Sequence, residues 1–314
     1  MSLDIGKSKR SEIAILNFSR RRKPGSCSMQ PHRFRRDFAM IPLHRVKARN
    51  ISVNAENRIH DEEGARGLGF AHGLVSGVTV YSYLFAPLLR RFGPEALESA
   101  VVRTAFFAPV YDGEDLLIGP DGPVTEKLAE PVRMRARRAS GEPVATLELS
   151  RPPVMPEPAS LPGYAPREAK DERPAFSWER VIPGRAFHGF AWAPGIEEHQ
   201  RWCASVGADD PVFRESPLPP LHPGLILQQA NQSLTREFRM NPWIHVSSRI
   251  VVRDALRAGD AVEVRAMPVE CWEKKGDRYA RIQAALVRNG RAAVEIDHKT
   301  ILEVSPRVQP AAGA

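Results

Sequence analysis

The 314-residue sequence holds only three cysteines, Cys27, Cys203 and Cys271, each far from the others. It has neither the even count of a disulfide framework nor the paired spacing of a zinc site, so a reducing, cytoplasmic setting is expected and no metal is implied. No stretch reaches the roughly 18 consecutive apolar residues of a membrane span, so a non-membrane protein is expected. Aromatic residues make up 7% of the chain. Trp178, Trp192, Trp202, Trp243 and Trp272 all fall in the second half, without the interleaved basic residues of a surface that stacks nucleic acid.

Net positive charge is missing from most of the chain. The formal net charge is +8, but residues 1–37 carry ten Lys/Arg against Asp4, Glu12 and Asp37, so the rest is close to neutral. The basicity belongs to a tail, 1–39, expected to be disordered, and nucleic acid is not an expected partner of the body. A twin-arginine export signal needs an apolar stretch after Arg20-Arg21-Arg22, where Pro24-Gly25-Ser26 stands instead; a nucleic-acid arm and an acid-poor amphipathic transit peptide are the other readings of the tail. A second short disordered tail is expected over 306–314.

What remains is globular in composition, with one interruption. Seven of the 25 residues from Arg151 to Ala175 are proline, which supplies no amide donor and favours extended backbone. A surface connector, 151–175, is therefore expected between two domains, 40–150 and 176–305. The two look alike. His72-Gly73-Leu74-Val75 opens an apolar run to Leu89, and Pro223-Gly224-Leu225-Ile226 opens another through Leu234, both at helical spacing with a glycine at the mouth. Strands are expected at Asp115–Ile118, Val132–Arg138 and Pro143–Leu149, then at Ala261–Val264, Arg278–Arg288 and Ala292–Leu302. Asn289-Gly290 between the last two is a hairpin signal. A long apolar helix followed by an antiparallel meander, done twice, calls for a sheet wrapped around each helix.

Three ordered motifs then carry a resemblance. Asn57-Arg58-Ile59-His60, Gly69-Phe70-Ala71-His72-Gly73 and Pro109-Val110-Tyr111-Asp112-Gly113 are similar to those of the MaoC-like (R)-specific enoyl-CoA hydratases and dehydratases. The likeness runs from about Val46 to Leu149. The second half, from Pro217 through Pro220 and Pro223-Gly224 to Gln229-Ala230, resembles acyl-carrier-protein dehydratases over a shorter stretch. The implied fold is α+β, a tandem (double) hot-dog in which each unit is an antiparallel sheet around a long central helix. A homodimer of such subunits is compatible with it. The implied activity is addition or removal of water at an acyl thioester, with coenzyme A or acyl carrier protein as part of the substrate and no separate cofactor.

The departures fall at the chemistry. The first family's aspartate falls on Ala55 and its proline on Arg58; the second family's histidine falls on Glu215 and its helix carboxylate on Gln229. Hydration needs a base for water, an acid for the alpha carbon and donors for the thioester oxygen. The resemblance makes His60 the base, although in isolation it reads as a solvated loop histidine before Asp61-Glu62-Glu63. Asn57 would hold the water or the thioester. Gly73 would offer an amide at the expected helix mouth, beside His72 at the same entrance. The acid would come from Glu56, Asp61 or Glu215. Gln229, with Gln228, Asn231 and Gln232, makes a polar stretch in a helix expected to be buried, so it should face a cleft or the other half. Arg133, Arg135 and Arg137 alternate along one strand face, either a solvated face or a contact for coenzyme A phosphates. Two other readings remain open: thioester hydrolysis on the same fold, and acyl-CoA binding without catalysis.

Overall fold

The computed structural model describes residues 40–168 and 172–306. The tails expected to be disordered, 1–39 and all but the first residue of 306–314, lie outside the described residues. The first half runs β1 (His44–Lys47), α1 (Glu62–Gly67), α2 (Gly77–Phe92), β2 (Ala100–Phe106), β3 (Asp115–Pro120), β4 (Val132–Arg138) and β5 (Pro143–Ser150). The second runs β6 (Phe190–Trp192), α3 (Ile196–Ser205), α4 (Pro223–Glu237), β7 (Ile244–Val252), β8 (Val262–Lys274), β9 (Asp277–Arg288) and β10 (Arg291–Glu303).

All ten strands join one antiparallel sheet in the order β1-β3-β4-β5-β2-β7-β10-β9-β8-β6. The order is palindromic about β2 and β7, whose register places Arg103 opposite Arg249. The two halves are thus related by a pseudo-twofold through that pair.

Helix α2 explains the wrapping. Val80, Tyr81, Leu84, Phe85, Leu88 and Leu89 are all buried, so apolar residues face most directions around the helix. Each large aliphatic or Phe side chain so buried stabilises by about 1.5–3 kcal/mol, which only a surrounding sheet and a second helix can supply. That second helix is α4, which packs on α2 where Gly224 meets Ser82; a Cβ on Gly224 would collide with the Ser82 hydroxyl. Asn289 and Gly290 both take positive φ (52° and 74°), forming the expected tight turn from β9 to β10.

Two expectations need correcting. Helix α2 begins at Gly77, not Gly73. Leu74 first bridges to Tyr111, and the Val75 amide bonds the Val110 carbonyl at 2.8 Å, so the chain makes one strand-like pairing before it turns into helix. The central pair β2–β7 was also absent from the strands expected. The Pro-rich segment crosses the outer face of the second half: the Ala159 amide donates to Glu295 Oε1 at 3.0 Å, and Gln283 Nε2 donates to the Ser160 carbonyl at 2.7 Å.

Candidate functional site

A cavity of about 380 Å³ opens at the end of the β2–β7 pair nearest the start of α2. Its walls come from both halves: the Asn57–His60 loop, Ser76 and Gly77 from the first, and Asn231, Trp243 and His245 from the second. Apolar side chains, among them Phe70, Val80, Phe106 and Val144, supply the rest. No Asp or Glu lines it among the described residues.

His60 ends a 3₁₀ turn, Arg58–His60, that is zipped to the strand-like segment before α2. The Leu74 amide donates to the Ile59 carbonyl at 3.0 Å, and His60 Nδ1 donates to the Leu74 carbonyl at 2.7 Å. That bond fixes the tautomer, leaving Nε2 with its lone pair. Burial pushes the imidazole below its ordinary value, against the opposing pull of the Leu74 carbonyl and Asp61. A neutral imidazole with one free nitrogen is the form a base requires.

The other expected site residues fare differently. Asn57 is 5% exposed and spends its amide on backbone: Nδ2 donates to the Trp243 carbonyl at 2.9 Å, while Oδ1 accepts from the Trp243 and Ile59 amides at 3.2 and 3.3 Å. Its place is therefore positional rather than at a substrate atom. Gly73 is no oxyanion donor: its amide donates to Glu62 Oε1 at 3.1 Å, and a Cβ there would strike the His60 carbonyl. Glycine stands at 73 because the chain passes hard against the His60 backbone. The His72 side chain is 57% exposed, pairs with Glu62 at 3.3 Å and stands outside the cavity.

None of the expected acids reaches the cavity. Glu56 pairs with Arg173 at 2.8 Å, Asp61 caps α1 through the Gly64 amide at 2.6 Å, and Glu215 is exposed in the loop ahead of α4. Ala55 lies exposed in a turn. Gln229 is buried but back-bonds to the Leu225 carbonyl at 3.1 Å and borders a separate groove. Arg133 pairs with Glu148 at 2.8 Å, while Arg135 and Arg137 share Asp121, so these charges are answered by carboxylates on their own sheet face.

The donors that remain come from residues the motifs did not single out. The Gly77 and Val78 amides open α2 and have no partner among the described residues, as the geometry of a helix start requires. A Cβ on Gly77 would come within 3.0 Å of His245 Nδ1 and 3.1 Å of the Phe106 ring, so glycine keeps this corner open. His245 Nδ1, Trp243 Nε1 and Asn231 Oδ1 are all buried without a hydrogen-bond partner. Behind the cavity, His245 Nε2 meets Ser248 Oγ at 2.9 Å, and Ser248 Oγ meets His298 Nδ1 at 2.9 Å. Burial, reinforced by His298, holds His245 well below the usual histidine value; burial alone pushes His298 down to about 3. In sequence the only hints were Ser76-Gly77 ahead of the apolar run, and polar breaks in apolar strands at His245, Ser248 and His298.

The pseudo-twofold creates an equivalent corner at the start of α4, and there the space is filled. Leu97, Val102, Leu221, Ile226, Ile250 and Leu256 line a slot of only about 20 Å³.

Two sheet-wrapped helices in tandem, with a cavity where one helix starts against the other half, define a double hot-dog fold. No protein-family model matches the chain, and no curated protein does. Solved structures do. One described as a MaoC domain protein dehydratase from Chloroflexus aurantiacus is 14% identical, with TM-score 0.58, over 89% of this chain and 99% of that one. A MaoC-like dehydratase is 13% identical, with TM-score 0.55, over 82% and 97%. A conserved hypothetical protein of Mycobacterium tuberculosis with a double hot-dog fold is 13% identical, with TM-score 0.52, over 82% and 95%. At such identities the likeness is one of fold: the chain has a double hot-dog fold that resembles MaoC-like dehydratases. No helix among the described residues is long and apolar enough to cross a membrane.

Proposed function

We propose that the protein adds or removes water at an enoyl or 3-hydroxyacyl thioester, carried on coenzyme A or an acyl carrier protein, with His60 as the base. The observation that carries this reading is the His60 imidazole, locked through Nδ1 to the Leu74 carbonyl in a largely apolar cavity beside the unpartnered amides of α2. In the dehydration direction, His60 Nε2 takes the proton from C2. The electron pair moves onto the thioester oxygen, where the Gly77 amide and the helix dipole offset the charge. The same imidazolium then returns the proton to the departing C3 hydroxyl, which leaves as water. One group serves as base and acid in turn, which suits a cavity with no carboxylate in its wall.

That same lack of a carboxylate favours one other reading, acyl-thioester binding without turnover. A panel of crotonyl-, longer enoyl- and saturated acyl-CoA separates them. Hydration removes enoyl absorbance without releasing thiol. Thiol release from the saturated substrates indicates hydrolysis, and heat of binding without either signal indicates a binding protein.

A further inference from the structure

The polar wall brought to the cavity by the second half has no part in the reaction as written above. The geometry points to His245 as an oxyanion donor, its Nδ1–H aimed at the thioester oxygen beside the Gly77 amide, with Ser248 and His298 as positioning residues that fix its tautomer. This rests on the acyl-thioester reading of the cavity.

Three observations converge. His245 is 7% exposed and lines the cavity, yet its Nδ1 has no partner, an expense that folded proteins rarely leave standing without a ligand to meet it. Nδ1 lies 3.0 Å from where a Cβ on Gly77 would be, so the imidazole and the first turn of α2 converge on one corner. Behind it, His245 Nε2, Ser248 Oγ and His298 Nδ1 form an unbroken chain of 2.9 Å contacts.

The chain has a direction. His245 Nδ1 and His298 Nε2 are both buried and unpartnered, so a relay through Ser248 leaves an N–H at one end and a bare lone pair at the other. Only the His245 end lines the cavity, where a ligand can meet the N–H, which is the costlier group to leave unpaired. The His298 proton therefore sits on Nδ1 and is donated to Ser248 Oγ. The Ser248 hydroxyl in turn donates to His245 Nε2, which leaves the His245 proton on Nδ1. The rings packed against His245 are Phe106, edge-on at 4.8 Å between centroids, and His298 at 4.2 Å; the Ser247 backbone also faces the imidazole and opposes the effect of burial, and no carboxylate acts on it. Burial keeps it neutral, so it donates a hydrogen bond and keeps its proton throughout. As the C2–H bond breaks toward His60, the electron pair rests on the thioester oxygen under two donors. It returns to form the double bond as the C3–O bond breaks and His60 protonates the leaving oxygen.

Two measurements on the full-length protein test this. Nitrogen-15 NMR of histidine-labelled protein should show His245 protonated at Nδ1; protonation at Nε2 overturns the proposal without reference to any activity. With crotonyl-CoA, His245→Phe should lower kcat by roughly 100-fold or more while KM moves by less than about threefold, and His245→Asn, whose Nδ2 stands where Nδ1 stood, should recover about tenfold of the loss. Wild-type kcat in His245→Phe, with hydration intact, sinks the His245 role and leaves the His60 reading standing. If the wild type turns over no enoyl thioester, that reading falls, and bound cinnamoyl-CoA decides for His245. A red-shifted absorbance in wild type and His245→Asn but not in His245→Phe supports the donor, and equal spectra in all three refute it.

Discussion

Asn57 and Trp243 lie 186 residues apart, yet they are joined like neighbours on paired strands, the Asn57 amide matching both the carbonyl and the amide of Trp243. The same Asn57 oxygen also caps the 3₁₀ turn that ends in His60. One side chain thus ties the loop bearing the candidate base to the strand bearing His245. Geometry across the cavity depends on this staple rather than on either half alone.

Asn57→Ala should therefore act on both stability and rate. It strands the Trp243 carbonyl and two buried amides, so unfolding in urea should lose about 2–3 kcal/mol with an unchanged slope. Turnover should fall as well, although Asn57 touches no reacting atom. A variant with wild-type stability and rate would show that the staple is dispensable.

His60→Ala should lower turnover by roughly 100-fold or more, the usual scale for a lost general base. Because burial lowers the imidazole's affinity for protons, the base stays neutral to more acid pH than a free histidine. The acid limb of kcat/KM against pH should accordingly fall below about 6.5, the ordinary histidine value. A limb at or above that value would mean that another group is titrating.

Residue 55 is exposed in a turn and Glu215 is exposed outside the cavity. Ala55→Asp and Glu215→Gln should then leave kcat unchanged, and stability within about 0.5 kcal/mol, as for surface positions in general. Loss of turnover in Glu215→Gln would place the missing acid there and refute the single-imidazole scheme.

Acid should destabilise the fold in a defined window. His222 and His298 are pushed down to about 3 by burial, with His199 adding to the effect at His222. Unfolded histidines titrate near 6.5, so between about 3 and 6.5 the unfolded chain binds more protons than the native one. The stability these neutral imidazoles contribute is complete above 6.5 and declines as pH falls, by up to about 1.4 kcal/mol per pH unit for each residue. His222→Asn keeps a capping side chain for the Gly224 amide and should flatten the dependence of Tm on pH between 7 and 5. An unchanged slope would mean that His222 does not govern it.

The parts of this architecture that are local were readable in sequence. The apolar run of α2, the Asn289-Gly290 turn and the meanders around it rest on periodicity and turn chemistry within a few residues. The start of α2 was misplaced because Leu74 and Val75 bond to Val110 and Tyr111, a tertiary choice that local propensity does not record. Strand β7 was hidden by its polar residues. His245, Ser247, Ser248 and Arg249 break its apolar alternation, and a bulge opposite Lys299 and Thr300 turns both His245 and Ser248 inward. His60, which lines the cavity, was singled out through its motif. Its companions across the cavity were not, since no local pattern links residue 57 to residue 243.

The filled corner at the start of α4 has a consequence for stoichiometry. Two identical subunits assembled about a true twofold axis must keep both corners alike, because one gene writes both. Joining the halves in a single polypeptide removes that constraint, and here Leu97, Leu221 and Leu256 help to convert one corner into packing while the other keeps its donors. Titration with an acyl thioester should thus saturate at one molecule per chain, with no second, weaker isotherm behind it.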